Sequence, residues 1–276
     1  MKGKSGYSPW YARTAWLTCV CAVGLILLAP QGRAGGQASN ELPSLQEQAK
    51  PPTNPPQLTA EVRADIFMAR KEYADAVDYY LRSLKNDGNQ RAAVWNKLGI
   101  AYQQLTDFDS ARKSYKKAIR FQKDFPEPWN NLGTTYFLQG KPKKSTKYYQ
   151  EAIKLNPASA PFHLNLGSAY FRRKKFDEAM VEYRAALELD PQILVTHSKS
   201  GTVMRAETPD ARYYFYLAKI FASLGRNEEA IRYLRRAFED GFQDIQKLGE
   251  DPDFKKISTD PTYVELINHP PVAIKE

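Results

Sequence analysis

The chain has 276 residues, a formal net charge of +9 and 42% hydrophobic residues. Its two cysteines, Cys19 and Cys21, lie together in an N-terminal apolar run, so the remainder of the chain has neither a disulfide framework nor a cysteine-based metal site. Residues 1–34 also contain four cations and no acid. The modest positive charge left for the rest of the chain argues against nucleic acid as a partner, since that usually requires a concentrated basic face.

Residues 1–34 have the layout of a secretory signal peptide. A basic stretch precedes the apolar run Ala15–Ala29, Pro30 ends that run, and the small residues Gly32 and Ala34 occupy the positions that a signal peptidase recognises. The run has about 15 residues, whereas a membrane-spanning helix needs about 20. We expect cleavage near Ala34. The alternatives are an uncleaved anchor formed by residues 15–29 and, with a poorer fit, a lipoprotein. In each case the rest of the chain is exported, to the periplasm or the cell exterior.

Residues 35–57 are predicted to be a disordered linker. The segment is rich in Pro, Gly, Gln and Ser, and four of its prolines lie between Pro51 and Pro56. Such a composition buries too little apolar surface to offset the entropy of ordering the chain. The linker serves either as a spacer or as a leader with no task of its own.

Residues 58–193 are predicted to form four helical repeats. In Ala92–Ile193 three units recur at a fixed offset of 34 residues without a gap. They share four columns, which hold Trp95, Leu98, Gly99 and Tyr102, then Trp129, Leu132, Gly133 and Tyr136, then His163, Leu166, Gly167 and Tyr170. Leu58–Gln90 keeps part of this pattern and is predicted to be a degenerate first repeat, as is common for a terminal unit.

Each repeat is predicted to contain two helices. The four shared columns lie at i, i+3, i+4 and i+7, which places them on one buried face of the first helix. The glycine is expected where two helices cross closely. The second helix alternates small residues with a large one, as at Ala179, Tyr183 and Ala186. Because neither helix buries its apolar face alone, stacked neighbouring repeats must provide one continuous core.

The pattern Trp-x-x-Leu-Gly-x-x-Tyr, followed at set offsets by Ala, Tyr, Ala and Pro, resembles the tetratricopeptide repeat (TPR). The resemblance implies an all-α fold, a right-handed α-solenoid of antiparallel helix pairs. In such a superhelix the first helix of each repeat lines the concave side. The resemblance also implies a non-catalytic protein that binds a protein or peptide in this groove.

Residues 194–210 interrupt the period and are predicted to form an inserted loop or hairpin, with or without a role in contacts. A fifth repeat is predicted over residues 211–244. The tail, residues 245–276, contains Asp251-Pro252 and Asp260-Pro261, and each pair is typical of a helix start. The tail is therefore predicted to be a helical cap that covers the last apolar surface.

The groove residues are predicted from their positions beside the Trp and Gly columns. Asn131 and Asn165 occupy the same column one repeat apart, and each amide offers a donor and an acceptor to an extended peptide. Phe137 and Phe171, also one repeat apart, would provide apolar pockets. The candidate set is Asn96, Gln103, Asn131, Thr134, Phe137, Asn165, Ser168, Phe171, Arg172 and Lys219. The alternative is that the asparagines hydrogen-bond within their own helix pair.

Other kinds of site have less support in the sequence. Chaperone-binding TPRs resemble each other in a Lys and Asn clamp for a C-terminal carboxylate, and neither possible frame of this chain keeps it. The three histidines lack metal-ligand spacing and the known nucleotide and hydrolase motifs are missing, so we expect neither a cofactor nor catalysis. Basic clusters at Lys141–Lys147 and Arg172–Lys175 are usually explained as a solvated outer face.

The sequence therefore predicts an exported, non-enzymatic scaffold or adaptor of the bacterial cell envelope that binds a protein or peptide in its groove. One alternative is a structural component that self-associates as a homo-oligomer. Another is a module that recognises an envelope polymer through the basic clusters. Membrane contact is expected only through the N-terminal segment, if that segment is not cleaved.

Overall fold

The computed structural model describes residues 58–86, 90–194 and 210–273, and all the regular structure in these ranges is helical. The first eight helices are α1 (Ala60–Ala69), α2 (Tyr73–Asn86), α3 (Ala92–Gln104), α4 (Phe108–Phe121), α5 (Pro126–Leu138), α6 (Pro142–Leu155), α7 (Ala160–Arg172) and α8 (Phe176–Leu189). After the insertion come α9 (Ala211–Ser223), α10 (Asn227–Glu239), α11 (Ile245–Glu250), α12 (Pro252–Lys255) and α13 (Pro261–Asn268). The predictions for residues 1–57 and 195–209 lie outside the described residues.

The helices pack as consecutive pairs. α1 packs on α2, α3 on α4, α5 on α6, α7 on α8 and α9 on α10, and the second helix of each of the first three pairs also packs on the first helix of the next pair. Neighbouring first helices touch as well, α3 against α5 and α5 against α7. The predicted all-α solenoid of helix pairs is confirmed. Within the described ranges, the helices are too short or too polar for any of them to cross a bilayer.

The glycine column is where the two helices of a repeat approach most closely. A Cβ atom added at Gly133 would lie 2.7 Å from the Tyr149 ring, and one added at Gly99 would lie 2.5 Å from the Tyr115 ring. Both tyrosines are fully buried. The predicted close crossing is confirmed, and its cause is specific: the aromatic ring of the second helix lies directly on the backbone of the first.

The turn between the paired helices has the same backbone conformation in each repeat. One residue in each turn has positive φ, and these residues are Lys71, Thr106, Gly140, Lys174 and Gly225. Glycine adopts this conformation at no steric cost, whereas a β-branched residue such as Thr106 is strained there. The repeat geometry therefore overrides the local preference of the residue at this position.

The tail covers the end of the last repeat, in agreement with the predicted cap. Phe254 is fully buried; its ring lies 5.7 Å from that of Phe215 in α9 and 6.3 Å from that of Tyr263 in α13. Both predicted helix starts are confirmed, since Asp251 accepts from the backbone N–H of Asp253 and Asp260 accepts from that of Thr262. The C-terminal end of the core is thereby shielded from water.

Two expectations need correction. The four shared columns are predicted to be buried, but the tyrosine column (Tyr102, Tyr136 and Tyr170) is half-buried in all three repeats, as are Trp129 and His163. Trp129 and Tyr136 pack around Tyr148 of α6. Leu194, placed by the sequence in the insertion, is buried in the core beside Ile193. The ordered core therefore extends one residue into the predicted insertion.

Candidate functional site: the inner face of the first helices

The first helices of successive repeats form a common face. Because α3, α5 and α7 contact one another directly, while the second helices pack behind them, this face lies on the inner side of the stack. It is the surface predicted to be the groove. Its polar residues are concentrated in α3, α5 and α7, and its aromatic residues are concentrated where α7 meets α9.

A chain of side-chain amides runs along this face through three repeats. Asn165 donates to Asn130 Oδ1 at 2.8 Å, Asn130 donates to Asn131 Oδ1 at 3.3 Å, and Asn131 donates to Asn96 Oδ1 at 3.0 Å. We call these four residues the amide ladder. The two bonds that cross between repeats each join residues 35 positions apart, one position more than the 34-residue repeat. Each of these bonds therefore joins residues from two different columns of the repeat. The ladder ties three repeats together.

The ladder changes the role expected of the asparagines. Asn96 and Asn165 are buried, so they are not available to a peptide as the sequence predicted. The alternative, in which the asparagines bond within their own helix pair, holds only for the bond between Asn130 and Asn131 of α5, since the other two bonds link one repeat to the next. Asn131 is half-buried and keeps one amide hydrogen and one lone pair beyond its ladder bonds. It is the most exposed member of the ladder.

Other predicted groove residues are also engaged in packing. Thr134 accepts from the Tyr149 hydroxyl at 3.1 Å, and burial raises the pKa of Tyr149, so this hydroxyl keeps its proton. Phe137 is buried, with the Arg172 guanidinium 5.1 Å from the centre of its ring. Thr134 and Phe137 therefore do not provide the free surface that was expected of them.

Gln103 and Ser168 are half-buried and bonded to neighbouring side chains. Gln103 Oε1 accepts from Thr135 at 2.9 Å, across the repeat boundary, and from Tyr115 at 3.3 Å. Ser168 accepts from Tyr183 at 3.3 Å and donates to the backbone carbonyl of Leu164. Gln103 thus links two repeats, whereas the bonds of Ser168 stay within its own helix pair.

An aromatic surface lies at the C-terminal end of the inner face. Phe171 packs against Phe176, Tyr213 and Tyr216, and the rings of Phe176 and Tyr216 are stacked 4.8 Å apart. Phe171, Phe176 and Tyr216 are each only partly buried, so their ring edges remain accessible. Of the two predicted phenylalanine pockets, the structure exposes apolar surface at Phe171 and not at Phe137.

The charged groups of the inner face are largely neutralised. Lys97 lies 2.7 Å from Asp65 and 3.0 Å from Glu61, so it does not offer a free ammonium group. Lys219, predicted as a groove residue, lies 2.5 Å from Asp251 and links α9 to the cap. Both lysines join neighbouring parts of the array, and both would have to break an ion pair before they could bind a carboxylate.

Models of the tetratricopeptide repeat match residues 57–124, 126–159, 160–193 and 211–239. The chain belongs to the tetratricopeptide repeat family. The matched residues coincide with the helix pairs, and the gap between the last two matches contains the insertion. A search of curated protein sequences finds no match.

Several solved TPR structures are similar to this chain. One is MamA, at 22% identity over 64% of this chain and 93% of that one, with a TM-score of 0.47. Another is TTC0263 of Thermus thermophilus, at 19% identity over 68% of this chain and 92% of that one, with a TM-score of 0.46. A third is YrrB, described as a TPR protein with an unusual peptide-binding site, at 20% identity over 69% of this chain and 89% of that one, with a TM-score of 0.45.

Two features of the TPR inner face were not predicted from the sequence: the bonds that link the asparagine columns, and the stacking of Phe176 on Tyr216. Asn130 is a central ladder member, and its signal is the spacing of 35 that separates it from Asn165 and that also separates Asn96 from Asn131. Phe176 and Tyr216 complete the aromatic surface, but they lie in different repeats on either side of the insertion. A search for matching columns at a period of 34 aligns Asn130 with Asn96 and Asn165 with Asn131, so it does not show the bonds between these two columns, and it does not align Phe176 with Tyr216.

Proposed function

We propose that this TPR protein is an exported, non-catalytic scaffold that binds an extended segment of a partner protein along its inner face. The observation that carries the proposal is the amide ladder, because its half-buried member Asn131 has one donor and one acceptor beyond its ladder bonds. The peptide backbone carries the same two kinds of group at every residue. An extended peptide therefore pairs with this amide whatever its sequence.

The aromatic surface supplies the apolar part of the same interaction. Phe171, Phe176 and Tyr216 present partly buried ring edges near the C-terminal end of the groove. An apolar side chain of the bound segment would contact these rings. Leu138, the last residue of the first helix α5, is 39% exposed and offers a further apolar contact. Preformed aromatic contacts cost little entropy on binding.

The asparagines themselves are unsuitable for testing the proposal. Asn165→Ala would leave Asn130 with a buried acceptor unpaired, at a cost of about 1–3 kcal/mol in stability. Any loss of binding would then reflect a loosened array rather than a lost contact. A side chain that is exposed on the inner face and takes no part in the ladder is needed.

Leu138→Glu is expected to weaken binding of a selected peptide at least about tenfold, because it places a charge beside the apolar contact and costs at least about 1.4 kcal/mol. Peptides would first be selected by display against the full chain, and their Kd values would then be measured by titration. Val181→Glu is the matched control, since Val181 is 67% exposed on α8, a second helix behind the inner face.

The proposal requires Leu138→Glu to lose affinity while Val181→Glu keeps it, with both variants unfolding at the same denaturant concentration as the parent. Equal affinity in the parent and Leu138→Glu would place the peptide elsewhere. Loss only in Val181→Glu would assign binding to the second helices. A failure of the selection to yield any peptide would contradict a sequence-tolerant groove.

Export is supported by the basic stretch, the apolar run and the small residues that end at Ala34. Fusion of alkaline phosphatase after residue 57 is expected to give enzyme activity, since that enzyme folds only where its disulfides form. Deletion of residues 15–29 should abolish this activity. Activity that survives the deletion would contradict export by this segment.

A further inference from the structure

The second helices of the repeats differ sharply in charge. α4 carries five cations and one acid, and α6 carries four cations and one acid. α8, in the next repeat, has the opposite balance, with one cation and four acids. α4 and α6 belong to adjacent repeats, and Tyr148 of α6 packs against the cluster that contains Tyr115 of α4. Two neighbouring second helices therefore both carry an excess of positive charge.

Six cations on these two helices define what we call the basic face: Lys113, Lys116, Arg120, Lys143, Lys144 and Lys147. All six are exposed. The two acids on these helices are already engaged, Asp109 by Arg112 and Glu151 by Lys154. Among the described residues, no carboxylate lies within ion-pair distance of any of the six.

The beginning of α6 departs from the rest of the array. α2, α4, α8 and α10 each have at least one acid in the first turn, where the helix dipole favours negative charge. α6 has none there and has Lys143 and Lys144 instead. The turn from the following repeat adds Arg173, which donates to Thr146 at 3.3 Å. Cations crowd the positive end of a helix here, an arrangement that costs stability unless an anion compensates it.

We propose that the basic face is a docking surface for the anionic headgroups of a phospholipid bilayer. The proposal concerns the outer surface and is independent of peptide binding at the inner face. Five of the six cations are lysines, which act as point charges and do not need the paired geometry that arginine uses on a single phosphate. Such a set matches a surface of mobile headgroups. Each lysine near an anionic membrane contributes about 1 kcal/mol.

The ends of the same two helices carry apolar side chains suited to the membrane interface. Phe121 at the end of α4 is 38% exposed, and Leu155, one repeat later at the end of α6, is 41% exposed. Interfacial binding combines charge attraction with burial of a few apolar side chains. Because these cations lie on second helices, whereas the inner face is formed by first helices, docking through the basic face would leave the inner face accessible.

The test must measure protection at the lysines of the basic face themselves, because the N-terminal apolar run of the full chain could itself insert into lipid. Amine-reactive labelling followed by mass spectrometry gives the labelling rate of each lysine separately. The full chain is labelled with vesicles of phosphatidylcholine alone and with vesicles of equal parts phosphatidylcholine and phosphatidylglycerol. Lys113 and Lys116 are expected to be protected only by the anionic vesicles. The protection should disappear when salt is raised from about 0.1 M to about 1 M.

A triple variant tests whether the two helices act together. Lys143→Gln/Lys144→Gln/Lys147→Gln removes three cations of α6 and is expected to weaken the docking about 100-fold, so that Lys113 and Lys116 on α4 lose their protection. The matched control Lys71→Gln/Lys85→Gln/Lys255→Gln removes the same charge from exposed positions outside the basic face. In this control, Lys113 and Lys116 should remain protected by the anionic vesicles.

Protection of Lys113 and Lys116 by neutral vesicles, or its persistence in the α6 triple variant, would overturn the proposal. The same labelling is also carried out with polyglutamate in place of the vesicles, at the same concentration of negative charge. If polyglutamate protects the basic face and anionic vesicles do not, the surface docks an acidic protein rather than a bilayer, and the lipid proposal is wrong.

Discussion

Replacement of Phe254 by alanine is expected to lower the free energy of unfolding by about 3–5 kcal/mol, the usual cost of removing a buried aromatic side chain. The Phe254 ring is fully buried between Phe215 of the last repeat and Tyr263 of the cap. Its removal leaves a cavity where the cap meets the solenoid. Urea unfolding followed by circular dichroism measures the loss.

The location of the loss is as informative as its size. In a repeat array each unit contacts only its neighbours, so a damaged cap should loosen the last repeat first. Amide hydrogen exchange in Phe254→Ala is expected to accelerate in α9 and α10 while α3 and α5 keep the parent rate. Phe121→Ala is the control, because this side chain is already 38% exposed and should cost much less. Equal losses in the two variants, or uniform acceleration along the array, would contradict the capping role.

The fold was predictable because the same pattern of buried residues recurs in each repeat. A buried column that recurs every 34 residues is visible in one sequence without any knowledge of three-dimensional neighbours. The tail was predictable for a different reason, since Asp251 and Asp260 are local helix-start signals followed by proline. The half-burial of Trp129 was not predictable, because it depends on how far neighbouring repeats rotate relative to one another.

The candidate site was predicted less well, and the cause is the same rotation. Adjacent first helices are offset so that Asn131 meets Asn96 and Asn165 meets Asn130, which joins two different columns. A sequence analysis that compares like columns therefore assigns Asn131 and Asn165 to a ligand. The structure assigns Asn165 to the interface between repeats. Of the basic face, only the lysines of α6 were visible in the sequence as a cluster, because the acids Asp109 and Glu151 are interspersed with the other cations and pair with Arg112 and Lys154 in the folded state.

Gly133→Ala is expected to destabilise the protein although alanine is the better helix former. The new Cβ would lie 2.7 Å from the ring of Tyr149, which is fully buried and cannot move aside. Overpacking of this kind costs about 1–3 kcal/mol, whereas replacing glycine by alanine within a helix gains up to about 1 kcal/mol. Gly249→Ala shows the second effect alone, because a Cβ at Gly249 in α11 meets nothing within 4 Å. Urea unfolding should separate the two variants by about 1–3 kcal/mol.

The last repeat shows how the clash can be relieved. There the glycine and tyrosine columns hold Ala218 and Leu234, both fully buried, so a smaller partner accommodates the methyl group. Tyr149→Leu alone should destabilise, because it leaves a cavity and removes the bond to Thr134. Combined with Gly133→Ala it should cost less than the sum of the two single losses, since the methyl group fills part of the space. Additive losses would show that the ring and the glycine do not constrain each other, and the close crossing would then need another cause.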